Sequence, residues 1–388
     1  IYDGLMVYGD NVSDGFIKTI EEYIKTNSNF TDIEIVKKDH EYDFVIPDNY
    51  IPTELVNYED MKIEFDKTNC KVGALFATER GEEKEILKKG DFTIIHEELS
   101  FMEKRKDKSF IDRWFKDANK RMYTHFGNYP KQSLCPDDCY NLYIPFPVEK
   151  MESITDENLL EVCEKGLQFL LNHIKVLCGN DELLTEFVYK LFAQMFQYPE
   201  NKSIELIFIS KEGGGKGLLK EFLSTIMGGK KRCWETTDPQ RDIFGQFNGL
   251  MKDAFLVVMN EANKSCFFNA NDKKKGIITD PTININIKGI SQFTMQSYHR
   301  FITFSNNPAP TVPNKRRDCI IRSSDELIDN KEYFDEGHKY AFDINVCKYI
   351  YDYFMTYPTI PKITDRDIPT TEYHKDMVEM HKPHPIAF

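Results

Sequence analysis

The feature that most constrains the fold of this chain is a glycine-rich loop between a buried strand and a helix. Residues 204–209 form an apolar run, residues 210–217 read SKEGGGKG, and residues 218–227 have the apolar spacing of a helix. Glycines let backbone N–H groups turn toward phosphates, the helix amino terminus adds positive potential, and a lysine reaches the outer phosphates. The predicted nucleotide-binding residues are Gly213, Gly214, Gly215, Lys216, Gly217 and Leu218.

The loop departs from the GxxxxGK[ST] pattern at two positions. Ser210 replaces the first glycine, and Gly217 replaces the Ser/Thr whose hydroxyl normally holds Mg²⁺. A glycine-rich turn that only lets a helix pack closely against a sheet would contain the same residues. Taken alone, the loop leaves both interpretations open.

Polar residues follow two later strands, at 255–259 and 301–304, which together with the loop predict a parallel α/β sheet. Glu261 can activate a water and hold Mg²⁺ through a second water, while Asn260 can bond a metal-bound water without adding charge. Asn306 can contact the γ-phosphate. We predict these three as catalytic, because parallel strands end at the same edge of a sheet. An exposed strand-end acid is the alternative for Glu261 taken alone.

Two arginines beyond the last of these strands are also predicted as catalytic. Arg316 and Arg317 follow Asn306 by about ten residues, and a guanidinium can neutralise charge that develops on a γ-phosphate. An arginine beyond this strand could reach the nucleotide of a neighbouring subunit, which requires a ring. A solvated basic patch is the alternative.

Charge is distributed unevenly along the chain. The whole chain carries −13, whereas residues 201–322 carry +8. Because local charge decides contacts with phosphates, the basic middle segment favours a nucleic-acid partner. Lysines clustered on a solvated face would give the same count.

Other classes of protein fit the composition poorly. Apolar runs of five or six residues are too short to span a membrane, and aromatic content of 13% argues against disorder. The nine cysteines include no CxxC pair, so Cys135 and Cys139 are weak metal-ligand candidates, and we expect reduced cysteines in a cytoplasmic protein. Since the chain begins at Ile1, we expect a fragment of a longer protein.

Four segments are predicted along the chain. Residues 1–100 form an α+β region of unknown role, with a helix at 16–24 and strands at 44–46, 72–76 and 92–95. Residues 101–200 form a connector and a helical oligomerisation region, whose helices begin near Thr155 and Asp181 and end near Gly179 and Pro199. Residues 201–328 hold the sheet and a hairpin, formed by 282–288 and 292–296 around Gly289. Residues 329–388 are a helical segment, with one helix at 346–357.

Taken together, these motifs resemble superfamily 3 helicases, in particular the helicase module of phage, plasmid, virophage and large-DNA-virus primase–helicases. The residues that carry the resemblance are GGGKG (213–217), VVMNEAN (257–263), KKKGIITDP…IKG (273–289), FITFSNN (301–307) and NKRRD (314–318). The resemblance covers roughly residues 105–325, and it is specific as a set but weak motif by motif.

The resemblance implies an AAA+ P-loop NTPase core with a parallel sheet. Together with the segments predicted above, this core is preceded by a helical segment and a small α+β domain and followed by a helical segment. The resemblance implies ATP and Mg²⁺ as cofactors, a hexameric ring, and an attached or associated primase–polymerase. Single-stranded or forked DNA would pass through the ring. The matching DNA-binding positions are Lys288 at the hairpin tip and Lys273, Lys274 and Lys275.

Two further functions remain open. Asn260 and Gly217 remove a carboxylate and a hydroxyl from the metal site, which favours a degenerate ring that binds nucleotide or DNA without translocating and supports a primase–polymerase. A small-molecule kinase would explain the glycine loop, but neither the polar end of the 301–304 strand nor the late arginines.

Overall fold

The computed structural model describes residues 57–103, 106–260, 273–274, 276–307 and 316–380, together with residues 18, 19 and 22. The chain divides into two compact units, residues 1–56 and 57–388, and apart from residues 18, 19 and 22 the features below belong to the second. Residues 18, 19 and 22 are helical, in agreement with the helix predicted at 16–24. The strand predicted at 44–46 lies outside the described residues, and the finer division into four segments stays a prediction.

The described part of the chain contains both helices and strands. The helices are α1 (Tyr58–Thr68), α2 (Lys89–Ile94), α3 (Phe110–Lys116), α4 (Glu157–Leu177), α5 (Glu182–Gln197), α6 (Lys216–Met227), α7 (Pro239–Asp242), α8 (Lys331–Phe342), α9 (Ile344–Thr356) and α10 (Glu372–Met380). The strands are β1 (Asn69–Val72), β2 (Leu75–Arg80), β3 (Glu83–Leu87), β4 (Ser100–Glu103), β5 (Lys106–Ser109), β6 (Met122–Tyr123), β7 (His125–Gly127), β8 (Cys139–Asn141), β9 (Glu205–Ile209), β10 (Cys233–Thr236), β11 (Leu256–Met259), β12 (Thr282–Ile285), β13 (Phe293–Gln296), β14 (Arg300–Ser305) and β15 (Asp318–Arg322).

The central element is a five-stranded parallel sheet in the order β10-β11-β14-β9-β15. This confirms the predicted parallel α/β sheet. Its strands are apolar on both faces, as expected when layers of structure cover a parallel sheet on each side. In β11, Leu256 and Val258 belong to the core cluster that includes the helices, whereas Val257 and Met259 belong to a second cluster on the other face. Alternate residues of this strand therefore pack into different cores.

The helices beside the sheet begin and end close to the predicted positions. Asp181 caps α5 by accepting a hydrogen bond from the backbone N–H of Leu184, as predicted. The cap of α4 is Asp156, one residue after the predicted Thr155. The difference is small, because both side chains can accept a hydrogen bond from the first helical turn. The predicted helix at 346–357 is α9.

Two strand predictions before residue 100 are wrong. Residues 92–95 lie mainly in α2, where Phe92 is fully buried against Phe76 and Trp114 while Ile94 is exposed, so the apolar run covers an aromatic cluster with one face only. Residues 72–76 are the turn of a hairpin rather than one strand. Gly73 has φ +56°, a conformation that favours glycine, and Val72 pairs with Leu75. These strands belong to a second sheet, β3-β2-β1-β6.

The predicted hairpin after the second core strand is confirmed with shorter arms. β12 and β13 pair antiparallel, and Ile285 lies opposite Phe293. Gly289 adopts φ +82° in the connecting loop, which explains why glycine occupies that position.

Candidate functional site

The glycine-rich loop joins the carboxyl end of β9 to the amino end of α6. Gly213 and Gly215 have φ of +77° and +89°, which side chains with a Cβ rarely adopt. A Cβ at Gly214 would lie 2.6 Å from the hydroxyl of Ser210, and one at Gly215 would lie 2.5 Å from the ring of His173. The backbone therefore fits only glycine at these points, and the open amino end of α6 faces the loop.

The ammonium of Lys216 is enclosed by neutral oxygen atoms. It donates to the hydroxyl and carbonyl oxygens of Ser210 at 2.6 and 2.9 Å and to the side-chain oxygen of Asn306 at 2.7 Å. Burial lowers the pKa of Lys216 to about 8, although the charge of Glu212 raises it. A cation that is partly desolvated among neutral acceptors gains most from an anionic ligand.

The structure brings together the loop and one of the predicted strand ends. Asn306 follows β14, which lies beside β9 in the sheet, and Ser305 pairs with Ile209. The parallel register therefore places the end of β14 next to the start of the loop, as expected from strands that end at one edge.

A buried histidine that the sequence analysis did not identify contacts the backbone of the loop. His173 of α4 is fully buried, its Nε2 lies 2.9 Å from the carbonyl oxygen of Gly215, and its Nδ1 lies 3.0 Å from the hydroxyl of Tyr333. Because a carbonyl only accepts, Nε2 carries the proton and Tyr333 donates to Nδ1. Burial lowers the pKa of His173 to about 4, so the ring is neutral at physiological pH. A lone histidine in a helix gives no signal for such a role.

The end of β11 has a partner that the sequence did not indicate. Asn260 donates from its Nδ2 to the carboxylate of Glu235 at 2.8 Å, and the other oxygen of this carboxylate lies 2.7 Å from the ammonium of Lys220. Glu235 belongs to β10, the neighbouring strand, so the pairing of β10 with β11 brings the two side chains together. Glu261 lies outside the described residues, and its role stays a prediction.

Arg316 and Arg317 are separated from the loop. They precede β15, and the carbonyl oxygen of Arg317 accepts from the backbone N–H of Glu205 at the start of β9. A strand of five residues spans about 16 Å, so these arginines lie at the amino edge of the sheet, whereas the loop lies at the carboxyl edge. The structure does not bring them to the site of the same chain.

The predicted DNA-binding lysines have different environments. Lys288 is exposed, and the ammonium of Lys88 lies near Gly289, 3.6 Å from where a Cβ would stand. Lys273 is exposed and donates to the carbonyl oxygen of Phe244 at 3.0 Å. Both side chains are exposed, and their contact with DNA stays a prediction.

Lys274 differs from its neighbours because it is buried. Its ammonium lies 2.7 Å from the carboxylate of Glu205, which is fully buried at the start of β9. In this structure its charge is therefore not available to DNA, which corrects the expectation that all three lysines lie on a DNA-facing surface. Lys275 lies outside the described residues.

Other candidate sites in the described part of the chain are weaker. A cavity of about 580 Å³ lies near the amino edge of the sheet, but two of its cations already have partners. Arg232 donates to the carbonyl oxygen of Pro145, and Lys231 pairs with Glu83. Among the described residues, no three or more His, Cys, Asp or Glu side chains form a group that could hold a metal. None of the described helices is long and apolar enough to cross a membrane.

Comparison with known proteins finds one matching family model and one similar curated protein. Residues 208–319, from β9 to the start of β15, match a family of unknown function, DUF5906. The DNA primase-polymerase of Nitratiruptor phage NrS-1 is 27% identical over 204 residues. The match covers 51% of this chain and 27% of the relative, so the chain spans about a quarter of the curated protein that it matches.

Solved structures show the same fold over most of the chain. The A form of the apo NrS-1 C-terminal region has a TM-score of 0.62 and 18% identity, over 83% of this chain and 74% of that one. Another apo structure of this region has a TM-score of 0.61 over the same shares. The chain is therefore similar in sequence to a phage DNA primase-polymerase and similar in fold to the C-terminal region of NrS-1.

Proposed function

We propose that this chain is the ATP-binding helicase module of a phage or viral DNA replication protein. The observation that carries the proposal is the ammonium of Lys216, which is partly buried among neutral oxygens at the end of a glycine loop. A triphosphate would supply the negative charge that this environment lacks. The similarity to a DNA primase-polymerase supports a role in DNA replication.

The residues at the carboxyl edge fit a nucleotide with its metal. The backbone of the loop and Lys216 would hold phosphates, and Asn306 would contact the outermost one. Oxygen atoms of amides and carboxylates suit Mg²⁺, and Asn260 ends the strand beside β14. Glycine at position 217 offers no hydroxyl where one usually binds the metal, so this chain would hold the metal largely through water. Bound Mg²⁺ would neutralise part of the phosphate charge.

DNA would bind on the hairpin side of the molecule. Lys288 is exposed in the β12–β13 loop with Lys88 close by, and residues 201–322 carry +8 within a chain of −13. Such a cluster would attract phosphates of single-stranded DNA.

The position of the arginines supports a role between subunits. Arg316 and Arg317 lie at the edge of the sheet opposite to the loop. If either completes an ATP site, that site belongs to a neighbouring copy, as in a hexameric ring.

The proposal is tested by ATP hydrolysis with and without single-stranded DNA. Lys216→Ala should abolish the DNA-stimulated rate, because the cation that faces the phosphates is lost. Lys211→Ala is the matched control in the same loop, since this side chain pairs with Asp325 at 2.6 Å and should leave the rate unchanged. Retained turnover in Lys216→Ala would contradict the assignment of the site.

A second function is favoured by the composition of the metal site. Asn260 and Gly217 stand where a carboxylate and a hydroxyl are usual, so the chain could bind nucleotide or DNA without translocating and support an attached primase–polymerase. In that case nucleotide binding would depend on Lys216, while turnover would be absent with and without DNA.

A further inference from the structure

Glu235 and Asn260 form a pair at the carboxyl edge of the sheet. Asn260 follows β11, and Glu235 lies in β10 with its side chain partly exposed, 31%. Their contact is 2.8 Å long, and it joins residues that are 25 positions apart in the sequence.

This contact fixes the direction of the Asn260 amide. An ionised carboxylate only accepts hydrogen bonds, so the NH₂ group of Asn260 must face Glu235. The amide oxygen then points away from the carboxylate of Glu235. It is thereby fixed as an acceptor, the type of group that binds a metal ion or a metal-bound water.

The pair lies close to the elements that would hold phosphates. Lys220, which contacts Glu235, is one turn along α6 from Lys216. On its other side β11 neighbours β14, which leads to Asn306. One carboxylate, paired with Lys220, is therefore present at this edge, one strand away from position 260, where the sequence pattern predicts a carboxylate.

We propose that Glu235 is a positioning residue for Mg²⁺, acting through Asn260. Glu235 would hold the amide of Asn260 in the orientation in which its oxygen can accept from a metal-bound water, and it would supply the carboxylate that position 260 lacks. The inference rests on the proposed nucleotide site. It adds Glu235 to that site, with Glu235 as the carboxylate and Asn260 as the acceptor. A carboxylate–amide pair across two strands would then replace a single strand-end carboxylate in holding Mg²⁺.

The experiment measures binding of a fluorescent ATP analogue during a Mg²⁺ titration. Glu235→Gln should raise the Mg²⁺ concentration for half-maximal binding about tenfold or more, the usual cost of losing a group that orients a metal ligand. Asn260→Asp should also raise the Mg²⁺ concentration for half-maximal binding. Two carboxylates would then lie about 3 Å apart, and their repulsion would disturb the pair. The double variant Glu235→Gln/Asn260→Asp exchanges the two groups, and its titration should return toward that of the wild type.

Glu221→Gln is the matched control. Glu221 lies next to Lys220 on α6 but pairs with His338, so its titration should overlay the wild type. Thermal unfolding of each variant identifies any loss of folding.

The outcomes separate this inference from the proposed function. If the wild type binds the analogue with Mg²⁺ dependence and Glu235→Gln titrates identically, the ion pair with Lys220 is only structural and the inference is wrong. A double variant no better than Glu235→Gln would also overturn it. If the wild type binds no analogue at any Mg²⁺ concentration, the proposed function fails and the inference fails with it.

Discussion

The ammonium of Lys216 lies 2.7 Å from the side-chain oxygen of Asn306, which connects the glycine loop to the end of the adjacent strand. The two residues are 90 positions apart in the sequence. Their contact places a cation and a neutral acceptor side by side at the carboxyl edge of the sheet. This arrangement leaves the charge of Lys216 available to an anionic ligand.

Replacing Asn306 by aspartate should weaken nucleotide binding at least about tenfold, because a carboxylate would pair with Lys216 and compete with the phosphates. Asn306→Ala removes the acceptor without adding charge and should have a smaller effect. Titration with a fluorescent ATP analogue measures both. Equal affinities of the aspartate variant and the wild type would contradict the arrangement.

Nucleotide affinity should fall as pH rises above about 8. Burial lowers the pKa of Lys216 to about 8 in the free protein, so the amine loses its charge above that pH. The dissociation constant should then rise by up to about tenfold per pH unit, one proton being linked to binding. Measurements from pH 7.5 to 9.5 test this. Lys216→Arg stays charged throughout, and its affinity should not follow the same slope.

His173 should contribute stability that is lost in acid. Burial lowers the pKa of His173 to about 4, below the usual 6.5, so the unfolded chain takes up the proton first. Its contribution to the free energy of unfolding is fully present above pH 6.5 and decreases as pH falls toward 4, by about 3 kcal/mol in total.

Denaturant unfolding at several pH values tests this role. His173→Gln should lose this part of the pH dependence while keeping a donor for the carbonyl oxygen of Gly215. His173→Ala should cost about 1–3 kcal/mol more, because that carbonyl loses its donor. An unchanged pH profile in the glutamine variant would exclude His173 as the source.

Lys288 and Lys274 should respond oppositely to substitution. Lys288→Ala should reduce the salt dependence of single-stranded DNA binding by about 0.7 log units per lost contact, with little change in stability. Lys274→Met should leave the salt slope unchanged but destabilise the fold by about 3–5 kcal/mol, because it leaves Glu205 buried without its partner. Salt titrations and unfolding curves of the two variants distinguish the roles, and a salt slope in Lys288→Ala equal to that of the wild type would exclude a DNA contact there.

Arg316 or Arg317 should act on a neighbouring copy. Mixing an Arg316→Ala or Arg317→Ala protein with a Lys216→Ala protein should restore part of the ATPase, since some interfaces would combine an intact arginine with an intact loop. Each protein alone should be inactive. No restoration at any mixing ratio would argue against a role between subunits.

The sequence by itself determined the elements whose signals are local. The strand before the loop, the helix that follows it, the hairpin around Gly289 and the cap at Asp181 are all read from neighbouring residues, because φ preferences, caps and apolar periodicity act over a few positions. The same local reading failed at 92–95, where a short apolar run fits a strand or a helix, and packing of Phe92 on Phe76 and Trp114 decided for a helix.

Only the tertiary structure decided which side chains meet. The pairing of β10 with β11 brought Glu235 to Asn260, and the packing of α4 placed His173 against Gly215. Lys274 lies in a run of three lysines, yet its contact with Glu205 is set by the fold around it. Such contacts join residues 25 to 69 positions apart, and no local pattern encodes them, because sheet order and helix packing depend on the whole core.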